Sequence, residues 1–144
     1  MNIDFRIPRG IALHITPSNV AMNSAFSLAL GLLSGCKNIV RMPSKKFSQL
    51  EELIKIINNV LKIKKFSKLK NYICLIRYEK SESISKNLSQ IVDTRLIWGG
   101  DDTAKLFKSF PTKLKCKDLI FPNKYSATIL NFKKIDKLKK MNLD

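Results

Sequence analysis

Residues 11–42 decide the fold, and their sequence is IALHITPSNVAMNSAFSLALGLLSGCKNIVRM. The apolar run 11–15 ends in the turn sequence TPSN, which predicts a strand followed by a turn. Apolar residues then recur at helical spacing over 20–34, and Gly35 is placed to end that helix. Residues 38–42 are a second short run rich in β-branched side chains. The stretch therefore predicts a β-α-β unit, in which a helix joins two parallel strands.

The same alternation of strands and helices continues along the chain. A capping-box pattern, Ser48 with Glu51 three residues later, opens a predicted helix whose apolar face runs to Leu61. Further strands are predicted at 72–76, 95–98, 118–121 and 127–130, and short helices at 82–90 and 102–109. Repeated units of this kind imply one α/β domain over residues 1–132, with a mostly parallel sheet and helices on both faces. Residues 133–144 are predicted to be a Lys-rich tail, frayed or disordered.

Two finer expectations concern burial. The strand at 72–76 is almost continuously apolar, which predicts burial on both of its faces and a core position for Cys74. In the helix at 102–109, Leu106 and Phe107 are expected to face inward.

Composition narrows the class of protein. The chain has 144 residues with 44% hydrophobic content, so wholesale disorder is not expected. Its formal net charge of +16 favours non-specific contact with nucleic acid or an anionic membrane. Most of the cations are Lys, however, whereas specific recognition of phosphates and bases relies on the Arg fork. A basic nucleic-acid-binding domain is therefore kept as the less favoured alternative.

Cysteines and the single histidine limit the chemistry. Cys36, Cys74 and Cys116 lack C-x-x-C spacing, which argues against a disulfide framework or a structural zinc site and favours a cytoplasmic location. Cys116 lies between two lysines, which could lower the pKa of its thiol. His14 lies inside an apolar strand and is expected to be buried and hydrogen-bonded rather than catalytic.

No membrane span is expected. The richest apolar stretch, residues 21–33, is shorter than the roughly 20 residues that a spanning helix needs. A lipoprotein signal ending at Cys36 is a weaker alternative, because Asp4 lies in the leader that such a signal requires to be basic.

Three turns follow predicted strands, at the edge where open parallel sheets bind ligands. Asn19 could donate its amide to a developing oxyanion, or it could form an Asx-turn or a helix N-cap. Arg41, Ser44 and Lys45 could hold a ribose or its 2′-phosphate, or they could be a solvated basic turn. The residue types leave these alternatives open.

The third turn contains Gly99 and Gly100 and precedes a predicted helix. Glycines there allow backbone N–H groups to approach a phosphate, which the helix N-terminus then favours. The adjacent Asp101 and Asp102 repel phosphate and are also ordinary capping residues. Taken alone, the residue types predict a nucleotide-binding α/β domain.

A family resemblance extends this interpretation over about residues 9–131. Four stretches carry the resemblance: LHITPSNV at 13–20, ALGLLSGCKNIVRMPSK at 29–45, RLIWGGD at 95–101 and FPNKYS at 121–126. Together they resemble long-chain acyl-CoA reductases of the bacterial luminescence type (LuxC-like), within the aldehyde dehydrogenase superfamily. The resemblance implies the Rossmann-like cofactor-binding part of an enzyme that reduces acyl-CoA to aldehyde with NADPH through a cysteine thioester.

The resemblance also implies roles for individual residues. Residues 17–19 resemble the superfamily's Pro-Trp-Asn turn, whose Asn binds the thioester oxyanion and corresponds to Asn19. Residues 42–45 resemble the Lys-Pro-Ser-Glu turn that holds the adenosine ribose, with Lys45 in place of the carboxylate, which favours NADP(H). Ala104 replaces a glycine of the pyrophosphate motif. The cofactor-binding residues implied are Thr16, Pro17, Ser18, Arg41, Ser44, Lys45, Gly99 and Gly100.

The family's nucleophilic cysteine lies beyond the segment that the resemblance covers. We therefore expect a fragment or truncated relative, inactive by itself, with a degenerate non-catalytic remnant as the alternative. The implied substrate is an acyl-CoA or another acyl thioester. An acyl-transferring or acyl-activating protein is the candidate partner.

Overall fold

Within the residues that the structure describes, four α-helices and five strands alternate along the chain. The structure is a computed structural model that describes residues 7–17, 20, 22–79 and 81–122. The elements are β1 (Ile11–Ile15), α1 (Asn23–Leu33), β2 (Lys37–Arg41), α2 (Ser48–Lys62), a 3₁₀ helix (Lys64–Tyr72), β3 (Ile73–Ile76), α3 (Glu82–Ile91), β4 (Thr94–Trp98), α4 (Asp101–Ser109) and β5 (Lys117–Phe121). The predicted strand at 127–130 and the predicted tail at 133–144 lie outside the described residues.

The five strands form one parallel sheet in the order β3-β2-β1-β4-β5. His14 of β1 is opposite Val40 of β2 on one side and opposite Leu96 of β4 on the other. The chain runs outward from β1 in one direction through β2 and β3, and then crosses back to β4 and β5. The expected parallel α/β fold is confirmed, and its topological switch point lies between β1 and β4.

The helices cover the sheet in two layers with separate apolar cores. On one face, buried residues of α1, α2 and the β2 region form one cluster: Leu28, Val40, Met42 and Leu50. On the other face, buried residues of β1 and β4 form a second cluster with residues in or directly after α3 and α4: Leu13, Ile15, Val92, Ile97, Phe107 and Phe110. Successive side chains of a strand point to opposite faces of the pleated sheet, and they therefore pack into opposite cores.

Gly35 ends α1 as the sequence predicts. It has a φ of 73°, a left-handed conformation that glycine adopts without a Cβ clash. The N–H of Gly35 donates to Leu32 O at 2.9 Å, and the N–H of Cys36 donates to Gly31 O at 3.0 Å. This pair of bonds is a Schellman motif, and it turns the chain directly into β2.

The buried face of α1 consists mostly of small residues, two of them polar, and of a single large apolar residue. Ser24, Ser27, Leu28 and Gly31 are buried, whereas Leu33 is 75% exposed. The apolar periodicity of residues 20–34 predicts the helix correctly, but the buried positions of α1 do not follow it.

The reason is a buried polar network between α1 and the sheet. His14 Nδ1 lies 2.7 Å from Ser27 Oγ, and His14 Nε2 lies 2.9 Å from Asn38 Oδ1. Trp98 Nε1 donates to Ser27 Oγ at 2.9 Å, and the amide of Asn38 donates to two backbone carbonyls, at Cys36 and Tyr72. With both ring nitrogens bonded, His14 is the buried, satisfied histidine that the sequence predicts. Burial lowers its pKa, and the bond to Asn38 acts in the opposite direction.

Beside this network, an open groove runs between α1 and the edge strand β5. We call it the α1–β5 groove; it encloses about 490 Å³. Its walls are formed mainly by apolar residues: Ile7, Ala12, Leu30, Leu96, Leu119 and Phe121. Within the described residues, α1 covers this face over β1 and β2, and Phe121 remains 37% exposed.

Three local expectations are wrong. The strand β3 is an edge strand, so Cys74 is exposed rather than a core residue. The capping box is not formed: α2 follows Phe47 without a side-chain cap, and the Glu51 carboxylate instead pairs with Arg77 at 2.6 Å. Phe107 faces inward as predicted, but Leu106 is 38% exposed.

Candidate functional site

A crevice opens at the carboxyl-terminal edge of the sheet, near its switch point. It encloses about 270 Å³. Its walls come from the end of β2, the start of α3 and the first two turns of α4: Arg41, Ser81, Glu82, Ser85, Asp102, Thr103, Leu106 and Phe107. Open parallel sheets bind ligands at this position, because the loops on either side of the switch point diverge there. The crevice is therefore the strongest candidate site in the described part of the chain.

Arg41 supplies the positive charge of the crevice. It is the last residue of β2, and its backbone carbonyl accepts a 2.7 Å hydrogen bond from the Thr16 hydroxyl. Its guanidinium lies over the ring of Tyr78, with Cζ 4.7 Å from the ring centroid. Among the described residues the guanidinium has no ion pair, although Glu82 and Asp102 line the same crevice. A free Arg fork is suited to a phosphate.

Tyr78 connects this arginine to the start of α3. Its hydroxyl lies 3.1 Å from Ser85 Oγ, which in turn donates to the carbonyl of Ser81 at 2.9 Å. The Ser81 side chain caps α3 by accepting a hydrogen bond from the N–H of Ile84 at 3.4 Å. The first turn of α3 and the end of β2 are thus joined through one aromatic ring.

Two helices begin at the crevice. α4 starts immediately after Gly100, which caps it without a side chain, as expected from the Gly-Gly turn. The partial positive charge of a helix N-terminus favours anions. Glu82 and Asp102 oppose this effect, since both carboxylates lie in these first turns. The crevice thus combines a cation and hydroxyl groups with carboxylates that can accept hydrogen bonds from ribose hydroxyls.

The turn after β2 brings its predicted residues close to the crevice without lining it. Ser44 Oγ donates to the carbonyl of Tyr78 at 3.3 Å. The Lys45 ammonium is exposed and lies 5.6 Å from the centroid of the Phe47 ring. Arg77 holds the turn by donating to the carbonyl of Pro43 at 3.0 Å. Arg41 and Lys45, which the sequence places together, therefore face different surroundings.

The predicted residues of the other turns have mixed outcomes. Thr16 is buried beside Arg41, and Pro17 follows it. Ser18 and Asn19 lie outside the described residues, so the role of Asn19 stays a prediction. A side chain at Gly99 would lie 3.1 Å from Cβ of Thr103, which leaves little room there for anything larger than glycine.

The cysteines all lie away from the crevice. Cys36 and Cys116 directly precede β2 and β5, at the opposite edge of the sheet, and Cys74 is on the edge strand β3. The expected lowering of the Cys116 pKa is wrong, because burial raises the pKa of that thiol more than nearby cations lower it. The described residues contain no cluster of ligands that could hold a metal ion. In the same residues, no helix is both long and apolar enough to cross a bilayer.

Sequence reasoning missed the residues that follow β3. Tyr78, Ser81 and Ser85 form one side of the site and its support. The rule that sends ligands to the ends of parallel strands applies to 77–81 as well as to the other three turns. No glycine or motif marks this segment, which explains why it was overlooked.

The fold and the crevice define a Rossmann-like α/β protein with a candidate ligand site at its switch point. The family model described as "Acyl-CoA reductase (LuxC)" matches residues 3–142, and the chain therefore belongs to the LuxC acyl-CoA reductase family. The match includes most of the residues predicted as a tail. No curated protein and no solved structure shows a significant match to the chain.

Proposed function

We propose that the crevice binds the adenosine half of NADPH, and that the chain is a cytoplasmic cofactor-binding part of an acyl-CoA reductase. The observation that carries this proposal is Arg41 at the end of β2, a guanidinium without an ion pair among the described residues. It lines a crevice near the switch point, together with the first residues of two helices. Family membership supports a nicotinamide cofactor. Such a cofactor supplies a hydride when bound.

The residues present fit the adenosine half. Arg41 provides a fork for a phosphate, and the hydroxyls of Ser81 and Thr103 with the Glu82 carboxylate can bond ribose oxygens. Phe107 provides an apolar wall. The volume of about 270 Å³ is near the lower limit of ligand cavities, which start at roughly 300 Å³, so it suits a nucleoside rather than a whole dinucleotide.

We further propose that this chain binds cofactor without reducing acyl-CoA by itself. A thioester mechanism needs a thiolate near the nicotinamide, and each of the three cysteines lies away from the crevice. The Asn19 amide is the proposed oxyanion donor for a thioester that another polypeptide segment would form. An acyl thioester remains the proposed substrate of the assembled enzyme.

Isothermal titration calorimetry with NADPH tests the proposal. We expect saturable binding to the whole chain, weakened at least tenfold by Arg41→Ala because a charge-assisted bond to phosphate is lost. Lys55→Ala is the matched control, since Lys55 pairs only with Glu52 on the outer face of α2 among the described residues. Absence of binding at millimolar NADPH would instead support the non-catalytic remnant. Aldehyde formed from acyl-CoA by the isolated chain would refute the proposal of no turnover.

A further inference from the structure

One aromatic ring behind Arg41 lies outside every sequence motif. Arg41 lines the crevice and Tyr78 does not, yet Cζ of Arg41 lies 4.7 Å from the centroid of the Tyr78 ring. The ring is therefore behind the guanidinium as seen from the cavity. The guanidinium lies over the ring, and Arg41 borders the cavity.

Tyr78 is itself held at two points, one on its ring and one on its backbone. The hydroxyl of Tyr78 lies 3.1 Å from Ser85 Oγ in α3, and its backbone carbonyl accepts from Ser44 Oγ at 3.3 Å. Ser85 is buried, and its own hydroxyl is bonded to the carbonyl of Ser81. The orientation of the ring is thus set by α3 rather than by the arginine it supports.

Arg41 needs such support because no hydrogen bond to its guanidinium occurs within the described residues. A long side chain without a polar partner samples many rotamers, and fixing it at the moment of binding costs entropy. Stacking on an aromatic face restricts the plane of the guanidinium beforehand and leaves the N–H edge free. A planar fork presented in this way matches a phosphate in bidentate geometry.

We propose that Tyr78 is a specificity-determining positioning residue, which holds the Arg41 fork for the 2′-phosphate and so sets the preference for NADPH over NADH. This inference rests on the proposed function. Since NADH lacks the 2′-phosphate, its binding does not draw on the fork. The ring therefore affects the ratio of the two affinities and not the affinity for nicotinamide dinucleotides in general.

The test compares the affinities of NADPH and NADH, measured by calorimetry on the full chain, with 2′-AMP and 5′-AMP as smaller probes. Tyr78→Leu removes the aromatic face, and we expect NADPH and 2′-AMP to bind about fivefold to tenfold more weakly, from the usual strength of such contacts. NADH and 5′-AMP should change less than twofold. Tyr78→Phe keeps the face and should keep the preference to within about threefold, the loss of one neutral hydrogen bond.

A double-mutant cycle shows whether the ring acts through the arginine. Arg41→Ala removes the fork and its contact with the ring, and in that background Tyr78→Leu should have no further effect on NADPH. Tyr78→Met provides a second variant without a ring if Tyr78→Leu does not fold. Equal weakening of both nucleotides, or an unchanged preference, would overturn the inference and leave the proposed function standing. A wild-type chain that binds neither nucleotide would overturn both.

Discussion

Replacing Gly31 with alanine has two opposite effects on the stability of the fold, and the structure shows which of them is larger. Alanine in place of glycine inside a helix normally stabilises by about 1 kcal/mol. At Gly31, however, the new Cβ would overlap Asn38 Oδ1 and lie 2.9 Å from Asn38 Cγ and 3.0 Å from His14 Cε1. Asn38 is 2% exposed and His14 is fully buried, so neither side chain can move into solvent.

The net effect is a loss of stability. Overpacking of this kind costs about 2 kcal/mol. Displacing Asn38 also breaks its bond to His14, which leaves a buried donor without a partner and costs about 2 kcal/mol more. The helix propensity offsets about 1 kcal/mol, and the expected loss in the free energy of unfolding is therefore about 3 kcal/mol for Gly31→Ala.

Urea unfolding followed by tryptophan fluorescence measures this loss. Trp98 is the single tryptophan of the chain, and its indole N–H bonds to Ser27 in the same network. Ala29→Gly is the matched control, because residue 29 is an exposed position in α1 that should lose about 1 kcal/mol through helix propensity alone. In an Asn38→Ala background, Gly31→Ala should cost less than 1 kcal/mol. A Gly31→Ala chain as stable as the wild type would refute this account of the network.

Three further predictions concern buried charge, pH and thiols. Arg95→Met should lower the free energy of unfolding by about 3 kcal/mol. Arg95 is 3% exposed, and its loss leaves Asp118 without the partner that binds both of its carboxylate oxygens. A loss below about 1 kcal/mol in urea unfolding would contradict this prediction. The pKa of His14 is lower in the folded chain than its usual 6.5, so the unfolded chain binds the proton more readily and stability should fall as the pH drops through 6.5. The urea midpoint of the His14→Asn variant should not change over that pH range. An equal pH dependence of the midpoint in both chains would contradict the role of His14. Ellman's reagent at pH 8 should modify the exposed Cys74 first and Cys116 slowly, because burial raises the pKa of Cys116. The Cys74→Ser variant assigns the fast reaction, which should be lost in it. Faster modification of Cys116 than of Cys74 would contradict this prediction.

Local sequence signals predict most of the elements because turn residues or a glycine follow β1, β2, β4 and α1. The helix stop at Gly35 and the helix after Gly100 are correct for this reason. The position of a strand within the sheet is a different matter. An apolar run such as β3 has the same composition at the centre and at the edge, so its exposure depends on where the chain crosses the sheet.

The inner face of α1 shows a second limit of pattern reading. Hydropathy selects apolar residues for the interface, whereas the structure uses Ser24, Ser27 and Gly31 there. Small residues are needed because His14 and Asn38 fill the space beneath the helix. A polar core network depends on partners from separate elements, and spacing along one helix does not show them.

The candidate site was predictable in part. Arg41 follows from its place at the end of β2, next to a turn that resembles a known cofactor motif. Tyr78 does not, because its contact with Arg41 joins the ends of two neighbouring strands and requires their register. The separation of Lys45 from Arg41 depends equally on the path of the turn, which residue types do not determine.

The α1–β5 groove has a consequence for how the protein behaves in solution. At low ionic strength the net charge of +16 keeps separate chains apart, over a screening length of about 30 Å at 0.01 M salt. Near 1 M salt that length falls to about 3 Å, and exposed apolar walls such as Phe121 and Leu119 of neighbouring molecules can then meet. Added salt, which usually releases basic proteins from their anionic contaminants, should drive this one toward self-association, so its colloidal stability is greatest in dilute buffer.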